Sequence, residues 1–402
     1  MCSHLKVMRQ RANKDNDIID ECYKRAVALL KENCTPLGIN AASKSKKADS
    51  RHYASIFGRD AAICSLGMAV SGDTQLRACA KRSLLTLGKF QAPNGQIPKF
   101  VKPETEEVDF WYAGCIDATL WWLIAVDFHD RHVPDDRIKS RLHKQIELAV
   151  YWLQCQEHQG LHLVQQNEAS DWADIMPRSG FVLYSNALWY RVKKLYAVPH
   201  AEKTGHNFKL LFYPYNNAVP ENRRARILSR YVKEGKKRSD CYLSFVNLSF
   251  WGTELDVYAN ILSMLFGISP KSKSLSRVNE LTSLKANEPF PVKSVLFPIR
   301  QNSPLWRTYM ERYEQNFPHQ YHNGGIWPYV AGFWVMLLLR LNRKKFAHQE
   351  LERFARVNSL NNWEFNEWFH GKTGKPMGMA GQSWNAAMFI LAYHCMQETI
   401  SI

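Results

Sequence analysis

The sequence predicts an all-α protein folded as an α/α toroid, which is a ring of helix hairpins. Apolar residues recur at intervals of three and four from residue 17 to residue 398, whereas strand-like segments are short and few. Clusters of acidic, glycine and aromatic residues lie at, or just before, the start of several of these helices. Alternate connections of a hairpin ring open at one end, so we expect these clusters to meet in one cavity.

The helices follow one another along most of the chain. Residues 1–16 are predicted to form a flexible N-terminus, and residues 17–402 a single domain. Residues 269–320 are the least regular stretch and are predicted to hold one further helix, which brings the total to about twelve. Helical periodicity marks segments 17–33, 59–70, 74–90, 115–131, 141–156, 186–198, 221–234, 253–268, 324–341, 345–360 and 381–397.

Composition argues against a nucleic-acid partner in spite of the basic charge. The net charge of +16 arises from 53 Lys and Arg against 37 Asp and Glu. The basic residues are scattered, and the densest runs, at 44–47 and 236–238, lie in predicted loops without a nucleic-acid-binding motif. A solvated basic surface explains this pattern better.

The sequence also favours a cytoplasmic protein with no membrane partner. Its nine cysteines include no Cys-x-x-Cys pair and lie mostly in apolar stretches, which is typical of reduced thiols. The first 20 residues have no apolar signal core, and no apolar run reaches transmembrane length. The oligomeric state stays open.

One short stretch carries a chemical signal. Glu364 and Glu367 lie among four aromatic residues at 363, 365, 368 and 369. Desolvating a charge among aromatic rings is costly, so such a carboxylate often faces a ligand. A glycine-containing loop follows, and then an apolar helix that carries Trp384.

Four motifs in order resemble the (α/α)6-barrel glycoside hydrolases over roughly residues 50 to 398. They are "FGRDAAI", "CIDATLWW", "HNGGIWP" and "NEWFHGKTGKPMG". The chain is most similar to the neutral and alkaline invertases of glycoside hydrolase family 100. It resembles the family 63 α-glucosidases and the glycogen-debranching-like proteins more distantly. The resemblance implies a six-hairpin toroid, hydrolysis of a glycosidic bond in a small carbohydrate, and no cofactor.

The motifs depart from the invertase pattern at two places. Ala118 and Thr119 stand where the invertases have Ser-Gly, and residues 368–370 are Trp-Phe-His where they have Tyr-Tyr-Asp. These positions neighbour the chemistry. The substrate therefore stays open between sucrose, an α-glucoside and a short α-glucan.

Glycoside hydrolysis needs two carboxyl groups, one that protonates the leaving oxygen and one that activates water or attacks the sugar. Asp117 opens an apolar helix and, with the resemblance, is predicted to be the general acid; a helix cap is the alternative. Glu367 matches the second carboxylate of the invertase motif and is predicted to be the base, with Glu364 as its rival. Inversion is favoured because the family 63 relatives invert.

Other cluster residues are predicted to bind substrate. Asp171 and Asp174 flank Trp172 on one side of a turn, so Asp171 is expected to bind sugar hydroxyls and Trp172 to form a wall. No metal is predicted, because two carboxylates make a weak calcium site and His319 and His322 lack a third ligand. The predicted substrate-binding residues are Arg59, Asp60, Trp121, Asp171, Trp172, Asp174, Asn323, Trp327, Glu364, Trp368 and Trp384.

Two other functions fit an α/α toroid. A sugar isomerase or epimerase would use paired histidines, and a non-catalytic carbohydrate-binding protein could dispense with one carboxylate. Here acids rather than histidines accompany the clusters, and both candidate carboxylates are present. The sequence therefore favours hydrolysis.

Overall fold

A computed structural model describes residues 2–215, 223–235, 239–248 and 250–402. Positions 221, 222 and 236–238, which belong to a predicted helix and a predicted basic run, lie outside these residues. The α-helices of the described chain are α1 (Cys2–Asn33), α2 (Lys46–Ser50), α3 (Gly58–Val70), α4 (Thr74–Lys89), α5 (Ile116–His132), α6 (Ile138–Arg141), α7 (His143–Cys155), α8 (Leu183–Leu195), α9 (Ala201–Phe212), α10 (Arg223–Gly235), α11 (Val257–Leu265), α12 (Lys271–Ser283), α13 (Pro328–Arg340), α14 (Lys344–Trp363) and α15 (Ser383–Gln397).

The helices form a closed ring. Helix α3 contacts α5, and the chain of contacts continues through α8, α11, α13 and α15 back to α3. The helices α1, α4, α7, α9, α12 and α14 alternate with these inner helices along the chain and pack against them from outside. The predicted (α/α)6 toroid is therefore confirmed.

The two sets of helices differ in sequence as their positions require. The inner helix α13, "PYVAGFWVMLLLR", is apolar on every side and almost wholly buried, as are α3 and α15. The outer helix α7, "HKQIELAVYWLQC", fully buries only Ala149 and Leu153. A helix enclosed on all sides can be apolar throughout, whereas a surface helix needs only an apolar stripe.

Short antiparallel strands gather at the N-terminal ends of the inner helices. The pairs β1–β2 and β2–β3 lie in the connections that lead into α3 and α5. The pair β6–β7 precedes α8 and α11, and β8–β9 precedes α15. The strands are β1 (Ile56–Phe57), β2 (Phe100–Val101), β3 (Val108–Asp109), β4 (Glu157–His158), β5 (Leu163–Val164), β6 (Phe181–Val182), β7 (Phe245–Val246), β8 (Trp368–Phe369) and β9 (Pro376–Met377).

The structure differs from the sequence-based expectation in several helices. The short helices α2 and α6 were not predicted, and α2 includes Lys46 and Lys47 of the basic run that was expected to lie in a loop. Helix α1 begins at Cys2, upstream of the predicted start at Asp17, and flexibility of residues 1–16 stays a prediction. Helix α9 was not predicted, because Gly205 and polar residues in its first half obscure the apolar repeat. Glycine at position 205 lets α9 pack closely against α8, because a Cβ there would lie 2.9 Å from the ring of Tyr190. The helix expected within 269–320 is α12, and none of the described helices is long and apolar enough to cross a membrane.

We expect Gly67→Ala to destabilise the protein by about 1–3 kcal/mol. A Cβ at Gly67 in α3 would lie 1.9 Å from the backbone carbonyl oxygen of Ala387 in α15, so one of two ring helices must shift. Gly88→Ala in α4 is the control, because its new methyl group meets a movable side-chain carbon of Leu142. Urea unfolding measures both, and equal stabilities of the two variants would show that the α3–α15 approach is not limiting.

Candidate active site

One cavity of about 530 Å³ opens at the end of the toroid where the inner helices begin. Its wall comes from five connections, each of which leads into α3, α5, α8, α13 or α15. Three of the four motifs, "FGRDAAI", "HNGGIWP" and "NEWFHGKTGKPMG", thus meet in this cavity as expected, whereas "CIDATLWW" contributes no lining residue. The lining residues are Ser50, Arg51, His52, Tyr53, Phe57, Arg59, Asp60, Lys99, Phe100, Glu107, Val108, Asp109, Trp111, Trp172, Asp174, Ile175, Arg312, Tyr313, Gln315, Tyr321, His322, Trp327, Glu367 and Trp384.

Glu367 is a buried carboxyl group in the wall of this cavity. Its Oε1 accepts a hydrogen bond of 2.5 Å from the Tyr53 hydroxyl, and its Oε2 accepts one of 3.1 Å from the backbone N–H of Met379. Burial raises the pKa of Glu367 to about 7; the two donors oppose this shift, and the negative charges of Asp174 and Asp60 add to it. Glu367 therefore exchanges a proton near neutral pH.

A glycine lets the following loop close over Glu367. Gly378 has a φ of +78°, and a Cβ there would lie 2.4 Å from the Glu367 Oε2. Position 378 therefore requires glycine, both because of its positive φ and because the Glu367 carboxyl group fills the space of a side chain.

Asp174 is another carboxyl group on the cavity wall, which also includes those of Asp60, Glu107 and Asp109, and its side chain is 33% exposed. The Lys99 ammonium lies 4.0 Å from its Oδ2, and the Nδ1 of His322 lies 3.7 Å from its Oδ1. Burial lowers the pKa of His322 well below its ordinary value, so this imidazole is neutral. Asp174 is also part of a neighbouring cavity of about 400 Å³ that shares Trp111, Ile175 and Arg312 with the main one.

Arg59, in the first turn of α3, contacts two buried carboxyl groups. Its Nη2 lies 3.3 Å from the Asp60 Oδ2, and its Nη1 lies 3.4 Å from the Asp117 Oδ2. Burial raises the pKa of both aspartates, and the guanidinium opposes the rise. Arg59 and Asp60 line the cavity as predicted.

Asp117 does not line the cavity, which corrects its predicted contact with substrate. It is fully buried in the first turn of α5. The Tyr184 hydroxyl donates to its Oδ2 over 3.1 Å, and the Cys115 thiol donates to its Oδ1 over 3.3 Å. Both oxygens are therefore engaged by protein groups behind the wall.

Asp171 is likewise engaged within the protein. Arg178 Nη2 donates to its Oδ1 over 2.6 Å, Gln166 donates to its Oδ2 over 3.0 Å, and the same guanidinium contacts Asp256. Asp171 is absent from the lining, so its predicted contact with sugar hydroxyls is replaced by an ion pair that fixes the turn around Trp172.

Four of the remaining predicted residues also lie away from the cavity. Trp121 is buried in α5 and donates to Tyr184, and Asn323 is buried and bonded to Ile299 and Asn316. Trp368 is buried behind the wall, next to Tyr321. Glu364 is exposed, accepts from Asn361 and Asn366, and faces a separate cavity.

Aromatic rings form much of the wall, as predicted for Trp172, Trp327 and Trp384. The rings of Trp327 and His322 stack at 4.9 Å, and Trp172 meets Trp327 edge to face at 5.4 Å. The indole N–H groups of Trp172 and Trp384 make no hydrogen bond within the described chain. Flat apolar faces next to unpaired buried donors suit a sugar ring with its hydroxyl groups.

Tyr53, Lys99 and Tyr321 also line the cavity although they were not predicted, and His322, predicted only as a possible metal ligand, lines it as well. Tyr53 lies four residues ahead of the "FGRD" motif, which was the one available signal. The described residues contain no group of three or more His, Cys, Asp or Glu that could hold a metal ion.

The chain matches a family of known glycoside hydrolases. Residues 24–390 match the family described as amylo-alpha-1,6-glucosidase. The match confirms the resemblance to debranching-like glycoside hydrolases that the motifs indicate. No match was found among curated proteins.

Solved structures share the fold at low sequence identity. A family 63 mannosylglycerate hydrolase from Thermus thermophilus, in complex with Tris and D-glycerate, is 14% identical, with a TM-score of 0.64 over 92% of this chain and 99% of that one. A glycosidase variant in complex with glucose is 14% identical, with a TM-score of 0.61 over 95% and 97%. A bacterial glucoamylase complexed with acarbose is 13% identical, with a TM-score of 0.59 over 93% of this chain and 55% of that one.

We expect Glu367→Gln to raise the melting temperature more at pH 8 than at pH 5. The pKa of Glu367 is about 7 in the folded protein and 4.5 as its ordinary value. The folded state keeps a proton that the unfolded state loses in this window, so stability falls as pH rises from 4.5 and the loss is complete above 7. Glutamine removes that loss.

Thermal unfolding at both pH values measures the effect. Glu364→Gln is the matched control, because its side chain is exposed. A Glu367→Gln effect that is the same at pH 5 and pH 8 would show that burial does not disfavour the ionised Glu367.

Proposed function

Because the chain belongs to the amylo-alpha-1,6-glucosidase family of glycoside hydrolases, we propose that it hydrolyses the terminal glycosidic bond of an α-glucoside or a short α-glucan. The observation that carries the proposal is that Asp174 and Glu367, two of the five carboxyl groups of the lining, share one aromatic-walled cavity. The cavity volume of about 530 Å³ suits a terminal sugar, since ligand pockets run from about 300 to 1,000 Å³.

Glu367 is the base in this proposal. Both of its oxygens accept hydrogen bonds, from Tyr53 and Met379, and such donors favour the carboxylate over the acid. Burial opposes them and brings the pKa to about 7, where a carboxylate takes a proton from water more readily than an ordinary glutamate does.

Asp174, rather than Asp117, is the general acid in this proposal. The acid must reach the oxygen between the terminal sugar and the leaving group. Asp174 lines both the main cavity and the adjoining one of about 400 Å³, so a leaving group that extends into the second cavity would pass its carboxyl group. Asp117 becomes a positioning residue that holds Arg59.

Among α-glucosides, those without a fructose unit are favoured over sucrose. The family description names a glucosidase, and glucose and acarbose occupy two structures of the same fold. A panel of sucrose, maltose, isomaltose, maltotriose and a glucosylglycerate, read by glucose release, tests the choice. Cleavage of sucrose alone would contradict the proposal, and so would the absence of glucose release from every member of the panel.

We expect Asp174→Asn and Glu367→Gln each to lower turnover of maltose by about 10²- to 10⁴-fold, the contribution typical of general acid–base groups. A 4-nitrophenyl α-glucoside separates the two roles, because its phenolate leaves without protonation. Asp174→Asn should recover much of its activity on this substrate, whereas Glu367→Gln should not.

Two variants serve as controls for these assignments. Glu364→Gln should keep most of the activity on both substrates, because the side chain faces away from the cavity. If Asp117→Asn, and not Asp174→Asn, recovered activity on the nitrophenyl glucoside, the acid would be Asp117.

We also expect inversion at the anomeric carbon. Inversion requires a water molecule on the face opposite the leaving group, with the two carboxyl groups about 6.5–9.5 Å apart. Proton NMR of maltose hydrolysis should then show β-glucose as the first product from the cleaved sugar. Initial release of α-glucose would mean that Glu367 attacks the sugar directly.

A further inference from the structure

A separate cavity of about 310 Å³ lies on the outer layer of the toroid, between α9 and α12. It shares no lining residue with the active-site cavity. Four of its described lining residues are basic or histidine, and none is acidic. The lining residues are His206, Lys209, Leu210, Tyr213, Tyr242, Pro270, Lys273 and Arg277.

Arg277 is a buried cation whose hydrogen-bond partners are neutral. Its side chain is 3% exposed, and its guanidinium lies 4.0 Å from the Tyr242 ring centroid and 5.5 Å from that of Tyr213. Its nitrogens donate to the carbonyl of Asp240 and the hydroxyl of Ser269, which are both uncharged acceptors.

No carboxyl group of the described residues lies within ion-pair distance of this guanidinium. Glu280 accepts hydrogen bonds from Ser239 and from the backbone of Asp240 and Cys241, and the Asp240 carboxylate accepts from Ser276. A buried charge is costly unless it is paired. Since the described residues form no ion pair with Arg277, a bound anion would stabilise its guanidinium group.

A second polar group in the same wall is unpartnered. Tyr213 is 8% exposed, and its hydroxyl group makes no hydrogen bond to any part of the chain that the structure describes. Buried hydroxyl groups nearly always have a partner, so an orphan beside a buried guanidinium points to a ligand that accepts hydrogen bonds.

We propose that this cavity binds an organic phosphate. The phosphoryl group would pair with Arg277 and accept from the Tyr213 hydroxyl, and the exposed Lys273 at the rim adds a second positive charge for a dianion. The cavity volume is about ten times that of one water molecule, which leaves room for a carbon skeleton against Leu210 and Pro270. Sugar phosphates and nucleoside monophosphates share this chemistry.

Calorimetric titration of the full chain with inorganic phosphate, glucose 6-phosphate, AMP and glucose tests the proposal. The two esters should bind at least tenfold more tightly than inorganic phosphate, and the stronger ester identifies the skeleton. Binding of the stronger ester should persist in Glu367→Gln. Its loss there would put the ester in the active-site cavity and overturn the proposal.

Variants of the wall complete the test. Arg277→Gln should weaken ester binding by at least tenfold, and Tyr213→Phe and Lys273→Ala by about three- to tenfold. Lys271→Ala is the matched control, because this exposed lysine of α12 lies outside the lining and should leave binding unchanged. If Arg277→Gln does not fold, Tyr213→Phe decides, since it removes only the unpartnered oxygen. Absence of binding below millimolar concentration, or binding that Tyr213→Phe and Lys273→Ala leave unchanged, would refute the site.

Discussion

Closure of the helical ring between α3 and α15 is the constraint on which the cavity depends. These two helices approach so closely that position 67 can carry no side chain without meeting the α15 backbone. Their N-terminal residues then face each other, and the Arg59 guanidinium lies 5.9 Å from the Trp384 ring centroid. The first and last inner helices therefore share one wall of the active site.

The same end of the ring concentrates negative charge in a basic protein. Asp60, Asp117, Asp171 and Asp256 are buried there, and the guanidinium groups of Arg59 and Arg178 contact them. The N-termini of the inner helices add partial positive charge at this end.

Glu367 differs from these aspartates because its hydrogen-bond donors are uncharged, a tyrosine hydroxyl and a backbone amide. A carboxyl group held by neutral donors keeps its orientation while its proton stays exchangeable. An ion pair of the kind that holds Asp171 would fix the charge as well. The difference separates the carboxyl groups that organise the site from Glu367, the proposed base.

The sequence alone predicted the helical ring and the presence of Glu367 and three tryptophans in the cavity wall. These features depend on local periodicity and on short motifs. It could not separate Asp171 from Asp174, which flank the same tryptophan. That choice depends on Arg178, which is also held by Asp256 at a separation of 78 residues. Asp117 is similar, since the groups that bury it, Arg59 and Tyr184, lie 58 and 67 residues away. Long-range contacts of this kind leave no pattern in a sequence window.

The hydrogen bond between Tyr53 and Glu367 joins residues that are 314 positions apart. Forming this contact closes a loop of 314 residues, which costs more chain entropy than forming a turn of helix does. Without α15 in place, Arg59 and Asp60 would lack the Trp384 side of their pocket. Recovery of activity during refolding should therefore coincide with docking of the last helix rather than with formation of helical structure.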